Sequence, residues 1–195
     1  LGVTLQSLGQ LDAAAKSYKQ AVAIKPSYAE AYNNLGNVLR ELDQLDTALK
    51  SYEQAIAIKP NYADAHYNLG IVHQEQGQLD AALESYVAAL DIKPDYAEAY
   101  NNLGVVLREL GQLETAVKSY KKVLEIKPDF AEAHNNLGVT LYELGQLDAA
   151  LKSYEKAVAI KPDYAEAYNN LGLVSIDLDL PEEAIKHFKK AVVIK

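Results

Sequence analysis

Five prolines, Pro26, Pro60, Pro94, Pro128 and Pro162, stand 34 residues apart, and one phrase follows each of them. Asp95–Gly104 reads DYAEAYNNLG. Ser27–Gly36, Asn61–Gly70, Asp129–Gly138 and Asp163–Gly172 are lightly edited copies, and the chain opens on Leu1-Gly2, the tail of a sixth. A fixed period of this length is the mark of a repeat array, in which each unit buries its apolar face only against its neighbours. The boundaries expected are a partial repeat at 1–28, full repeats at 29–62, 63–96, 97–130 and 131–164, and a last one at 165–195, forming one array over 1–195.

Each repeat reads as two amphipathic helices, called A and B. In the copy from Ala97 to Phe130, Asp95 and Glu98 have capping-box spacing, so helix A is expected to start at Asp95 and run to about Leu110. Ser27/Glu30, Asn61/Asp64, Asp129/Glu132 and Asp163/Glu166 repeat the pair. Gly111 suits the left-handed residue that ends a helix; Asp43 and Asp179 take its place in two copies. Helix B is expected over Leu113–Ile126, with a carboxylate in its first turn and Pro128 blocking continuation. Pro181 replaces the entering leucine of the last helix B, a position that tolerates proline.

Gly104 lies mid-helix, where glycine costs about 1 kcal/mol relative to alanine. Its presence in every copy implies a close approach, and the expected counterpart is the small residue of helix B: Ala14, Ala48, Ala82, Ala116, Ala150 and Ala184. Tyr100, Leu103, Leu107, Tyr120, Val123 and Ile126 fill the space around that contact.

These residues resemble the tetratricopeptide repeat (TPR) family, whose motif asks for an aromatic, Leu-Gly, Ala, an aromatic, Ala and Pro at set spacing. The chain offers Tyr100, Leu103-Gly104, Ala116, Tyr120, Val123 and Pro128, with His66 and His134 replacing the first aromatic in two copies. The resemblance covers essentially the whole chain. It implies an all-α, right-handed superhelical solenoid of antiparallel helix pairs, with the A helices lining the inner surface.

On helix A, Glu98, Asn101, Asn102, Val105, Arg108 and Glu109 share one arc, opposite the packing residues. The resemblance places that arc in a groove. An asparagine recurs in it at Asn34, Asn68, Asn102, Asn136 and Asn170, preceded by a second at Asn33, Asn101, Asn135 and Asn169, with Tyr67 the exception. An amide side chain both donates and accepts, so a row of them suits the backbone of an extended peptide. The same row could instead bond between neighbouring helices and build the stack. Similar rows occur in the TPR arms of O-linked N-acetylglucosamine transferases and in kinesin light chains. Arg40 and Arg108 are the only basic residues on this face. That disfavours the family's clamp for a C-terminal carboxylate.

The sequence holds no Walker loop, GxGxxG, HExxH or EF-hand loop. His66 and His73 share a helix seven residues apart, but they occupy positions filled elsewhere by Tyr and Leu and read as packed rings. No cofactor and no metal is expected, and no catalytic residue. Without cysteine there is no disulfide framework, which fits a reducing compartment such as the cytoplasm. A net charge of −8 makes phosphate backbones and anionic lipid poor partners, and no apolar run approaches a membrane span. The helix A segments carry more than the whole net negative charge, and the remainder is mildly basic. The A face also grows more apolar toward the C-terminus, through Val139, Tyr142, Leu173 and Ile176.

The function expected is a non-catalytic scaffold binding an extended, neutral to basic peptide or partner segment, with Arg40, Arg108, Glu109 and the asparagines as contacts. The alternatives are a substrate-recruiting arm of a larger, glycosyltransferase-like enzyme and a self-assembly module. The chain reads as a piece of a longer protein, and its ends are expected to expose apolar surface and to associate end to end.

Overall fold

The apolar spacing of each repeat becomes two helices in the computed structural model, which describes residues 1–194. The order is α1 (Gly2–Ser7), α2 (Leu11–Ile24), α3 (Ala29–Glu41), α4 (Leu45–Ile58), α5 (Ala63–Glu75), α6 (Leu79–Ile92), α7 (Ala97–Glu109), α8 (Leu113–Ile126), α9 (Ala131–Glu143), α10 (Leu147–Ile160), α11 (Ala165–Asp177) and α12 (Pro181–Ile194). No strand occurs among the described residues. Odd-numbered helices are the A helices and even-numbered ones the B helices.

The turn between them is set by backbone chemistry. Gly111 has φ +74°, and its N–H donates to Arg108 O at 2.9 Å while Gln112 N–H donates to Leu107 O at 2.8 Å. This pair of bonds is the Schellman motif, which satisfies carbonyls that helix A leaves open. Asp43 (φ 57°) and Asp179 (φ 58°) make the same two bonds in their copies, so the left-handed turn is kept even where a side chain makes it costlier. The new helix then starts with its acid in the first turn, and α12 begins on Pro181 as expected.

The entry to helix A differs from the capping-box expectation. The Pro-containing turn carries the chain one residue further, so α3, α5, α9 and α11 begin after Tyr28, Tyr62, Phe130 and Tyr164, and none has a side-chain cap. The residue read as the cap sits in the turn, where the Ala165 N–H reaches the backbone carbonyl of Asp163 at 3.1 Å. The freed acid of the first copy turns to a cation. Glu30 accepts from Lys59 Nζ at 3.2 Å, and a bond to its own backbone N–H, then this lysine, lowers its pKa. Each of these turns also lays a lysine over an aromatic ring, with Lys93 Nζ 4.2 Å from the Tyr96 centroid.

The core is built from small residues and rings. Ala48, Ala82, Ala116 and Ala150 are wholly buried, as are Tyr52, Tyr86 and Tyr120. The close neighbour of the mid-helix glycine is the ring and not the alanine: a Cβ on Gly104 would stand 2.6 Å from Tyr120 Cε1. Tyr52, Tyr86, Tyr154 and Phe188 face Gly36, Gly70, Gly138 and Gly172 in the same way. Glycine is kept because an aromatic ring occupies the space a Cβ would need at that turn.

The chain falls into two compact units that divide between Ala99 and Tyr100. In the first, α1 to α6 pack each on the next, and α3 also touches α5. In the second, α8 to α12 do the same, with α9 against α11. Among the described residues no helix is long and apolar enough to cross a membrane. Leu1, Val3, Ile24, Val192 and Val193 are large apolar residues left exposed.

Candidate functional site

Contacts between successive A helices run along two parallel ladders. The inner ladder is made of amides. Asn68 Nδ2 donates to Asn33 Oδ1 at 3.0 Å in the first unit. In the second, Asn136 donates to Asn101 at 3.2 Å and Asn170 to Asn135 at 3.0 Å. Each bond joins residues 35 apart, one repeat plus one residue.

The first asparagine of each pair is the anchor. Asn101 Nδ2 donates to Glu132 Oε1 at 3.0 Å, and Asn135 Nδ2 to Glu166 Oε1 at 3.1 Å. A carboxylate only accepts, so the amide nitrogen must face the glutamate and the amide oxygen must face the next asparagine. Both ends of the anchor are thereby engaged by the following repeat. Burial agrees: Asn33, Asn101 and Asn135 are 5%, 3% and 0% exposed. Asn169 carries the same side chain but is exposed. In Asn68, Asn136 and Asn170 one N–H serves the stack. Asn34, Asn68, Asn102, Asn136 and Asn170 are half-buried, and the Oδ1 of Asn136 and of Asn170 takes no bond among the described residues.

The outer ladder is ionic or polar. Arg40 Nη1 donates to Glu75 Oε1 at 3.3 Å, and Arg108 Nη1 to Glu143 Oε1 at 3.0 Å. Gln6 donates to Glu41, and the Tyr142 hydroxyl to Asp177. That bond, more than burial, raises the Tyr142 pKa and keeps the phenol neutral. The two arginines expected as ligand contacts are therefore already paired within the protein. Their partners were missed in the sequence, although a signal exists: the residue after each Arg40-equivalent is acidic in five copies, Glu41, Glu75, Glu109, Glu143 and Asp177.

Tyr67 departs from the asparagine pattern. Its ring lies 4.9 Å from that of Tyr96 and 5.9 Å from that of Tyr86, so this copy places an aromatic cluster where others place an amide.

Between α9 and α11, Val139, Tyr142, Glu143, Tyr154, Asn170 and Leu173 line a cavity of about 240 Å³. His66 and His134 each bond through Nε2 to the carbonyl of Pro60 and Pro128 at 2.9 Å. Both rings are thus engaged in the structure of the turn. No group of three or more His, Cys, Asp or Glu suited to a metal occurs among the described residues.

Models of the TPR repeat match residues 4–43, 36–77, 75–107, 104–145 and 140–175, and a tetratricopeptide repeat model matches residues 165–195. The chain belongs to the tetratricopeptide repeat family. Among solved structures it is similar to YrrB, described as a TPR protein with an unusual peptide-binding site, at 26% identity and a TM-score of 0.77 over 93% of each chain. It is also similar to MamA, at 28% identity and a TM-score of 0.77, over 82% of this chain and 94% of that one. PilF of Pseudomonas aeruginosa shares the fold, with 20% identity and a TM-score of 0.86 over 96% of this chain and 85% of that one. No curated protein matches at the sequence level.

Proposed function

We propose that this TPR chain is a non-catalytic scaffold that holds an extended peptide or partner segment along the open face of its A helices. The observation that carries the reading is the division of labour within the asparagine pairs. The buried asparagine braces the stack, while the half-buried Asn136 and Asn170 each spend one N–H on it and keep an Oδ1 that takes no bond among the described residues. Those are the groups that pair with a peptide backbone whatever its side chains. The peptide-binding site named for the similar YrrB supports the same reading.

Packed helices lie about 8–10 Å apart and an extended chain rises about 3.3 Å per residue, so each repeat step spans about three residues of ligand. Acids on this face, Glu109 and Asp177 among them, favour neutral to basic segments. Fluorescence anisotropy with uncharged Ser/Gly peptides of increasing length tests the proposal. Affinity should rise in steps of about three residues. Binding indifferent to length would contradict it.

A further inference from the structure

The face of the second unit changes character between α9 and α11, and the change has two parts. In α3 and α7 an arginine neutralises the acid of the next A helix: Arg40 pairs with Glu75, and Arg108 with Glu143. At the same position α9 has Tyr142 and α11 has Ile176. Asp177 therefore accepts from a neutral phenol and not from a cation, and its charge is not cancelled by that rung. The position three residues earlier is Asn37 in α3 and apolar in every later A helix, as Ile71, Val105, Val139 and Leu173. Leu173 is 44% and Ile176 54% exposed, and Leu173 forms one wall of the cavity of about 240 Å³ described above.

Exposed apolar side chains and an acid that no arginine pairs thus stand together on one short stretch. Leu173, Ile176 and Asp177 follow one another on a single helix, and Val139 and Glu143 stand one turn apart on the facing one. Asn170 lines the same cavity with its Oδ1 still open. From this juxtaposition we infer that the α9–α11 cavity is an anchor pocket. It takes one large aliphatic or aromatic side chain of the bound segment, with a lysine or arginine beside it in the sequence against Asp177. The inference rests on the peptide-binding reading and adds the ligand's chemistry to it. The charge complementarity is local: Glu143 is already paired by Arg108, whereas Asp177 meets only a phenol.

The probes are four fluorescein-labelled Ser/Gly decapeptides with a central Phe-Lys, Ala-Lys, Phe-Glu or Ala-Glu, titrated with the intact chain. Phe-Lys should bind about tenfold more tightly than Ala-Lys, the scale expected for burying part of a phenyl side chain. Phe-Lys should also bind several-fold more tightly than Phe-Glu, by a margin that shrinks as salt is raised. Leu173→Asn and Ile176→Arg restore residues found at these positions in α3. Both should abolish the preference for Phe over Ala, and Asp177→Asn should reduce the preference for Lys over Glu. These side chains are half-exposed or exposed, so the melting temperature should barely move and confirms that each variant is folded. Equal binding of all four peptides would overturn the pocket and leave the backbone-binding reading standing. So would a Phe preference that survives Leu173→Asn and Ile176→Arg. No binding of any peptide at millimolar concentration would overturn both.

Discussion

Asn136 donates its side-chain N–H to the carbonyl oxygen of Asn101, one repeat and one residue away, and Asn101 passes its own N–H on to Glu132. Three side chains from two repeats form one chain of hydrogen bonds, and Asn135 repeats it with Asn170 and Glu166.

The two asparagines of a pair should therefore respond differently to truncation. Asn135→Ala removes two hydrogen bonds, to the half-buried Asn170 and the exposed Glu166, together with a fully buried side chain, and should cost about 1–3 kcal/mol. Asn136→Ala removes one hydrogen bond and takes the donor from the buried Asn101 oxygen, but vacates a half-buried position that water can reach, and should cost about 1 kcal/mol. Denaturant unfolding of the two single variants measures the difference, and equal losses would argue against the anchor-and-partner division.

The contact of Gly104 with the Tyr120 ring gives a prediction whose sign reverses. Alanine raises helix propensity by about 1 kcal/mol. Its Cβ, however, would meet a fully buried ring at 2.6 Å, and overpacking of this kind costs about 1–3 kcal/mol. Gly104→Ala should be destabilising in the wild-type chain. It should become neutral or stabilising in a Tyr120→Leu background, where the ring is gone. A double-mutant cycle by thermal or chemical unfolding reads this coupling directly.

Sequence patterning revealed the helices, the period and the positions that face inward, because burial of one stripe per helix is written in the spacing of Ala, Leu and Tyr. The Gly111 turn was legible for the same local reason. Spacing says which residues share a face but not how far a side chain reaches, which is why Ala116 was expected against Gly104 and Tyr120 is found there. The capping box failed because the turn after the repeat proline moves the cap one residue on, a geometric effect that residue type alone does not show. The amide ladder joins positions in different repeats, so no pattern within one repeat could reveal whether the asparagines brace the stack, face a ligand, or divide the two roles.

A buried imidazole gives a pH dependence. Burial lowers the pKa of His134 below its ordinary value of 6.5, against a smaller opposite effect of its bond to the Pro128 carbonyl. The unfolded chain then binds the proton more readily than the folded one. The stability this ring confers is complete above about pH 6.5 and declines as pH falls through that value toward the folded pKa. His134→Tyr, the residue at this position in α3, α7 and α11, should flatten the loss of melting temperature between pH 7.5 and pH 5. His187, also lowered chiefly by burial, is unchanged in that variant, so a residual slope of the same sign should remain.

The central claim is that the half-buried asparagines hold a ligand while the buried ones hold the stack. The most direct measurement takes one variant, Asn68, Asn136 and Asn170 all changed to Ala, and records both its affinity for an uncharged Ser/Gly decapeptide and its melting temperature. The account predicts a loss of affinity of about 1 kcal/mol for each hydrogen bond removed, roughly a hundredfold in all, with only a modest fall in melting temperature. Unchanged affinity together with a markedly lowered melting temperature would mean that the whole row is structural, and would contradict it.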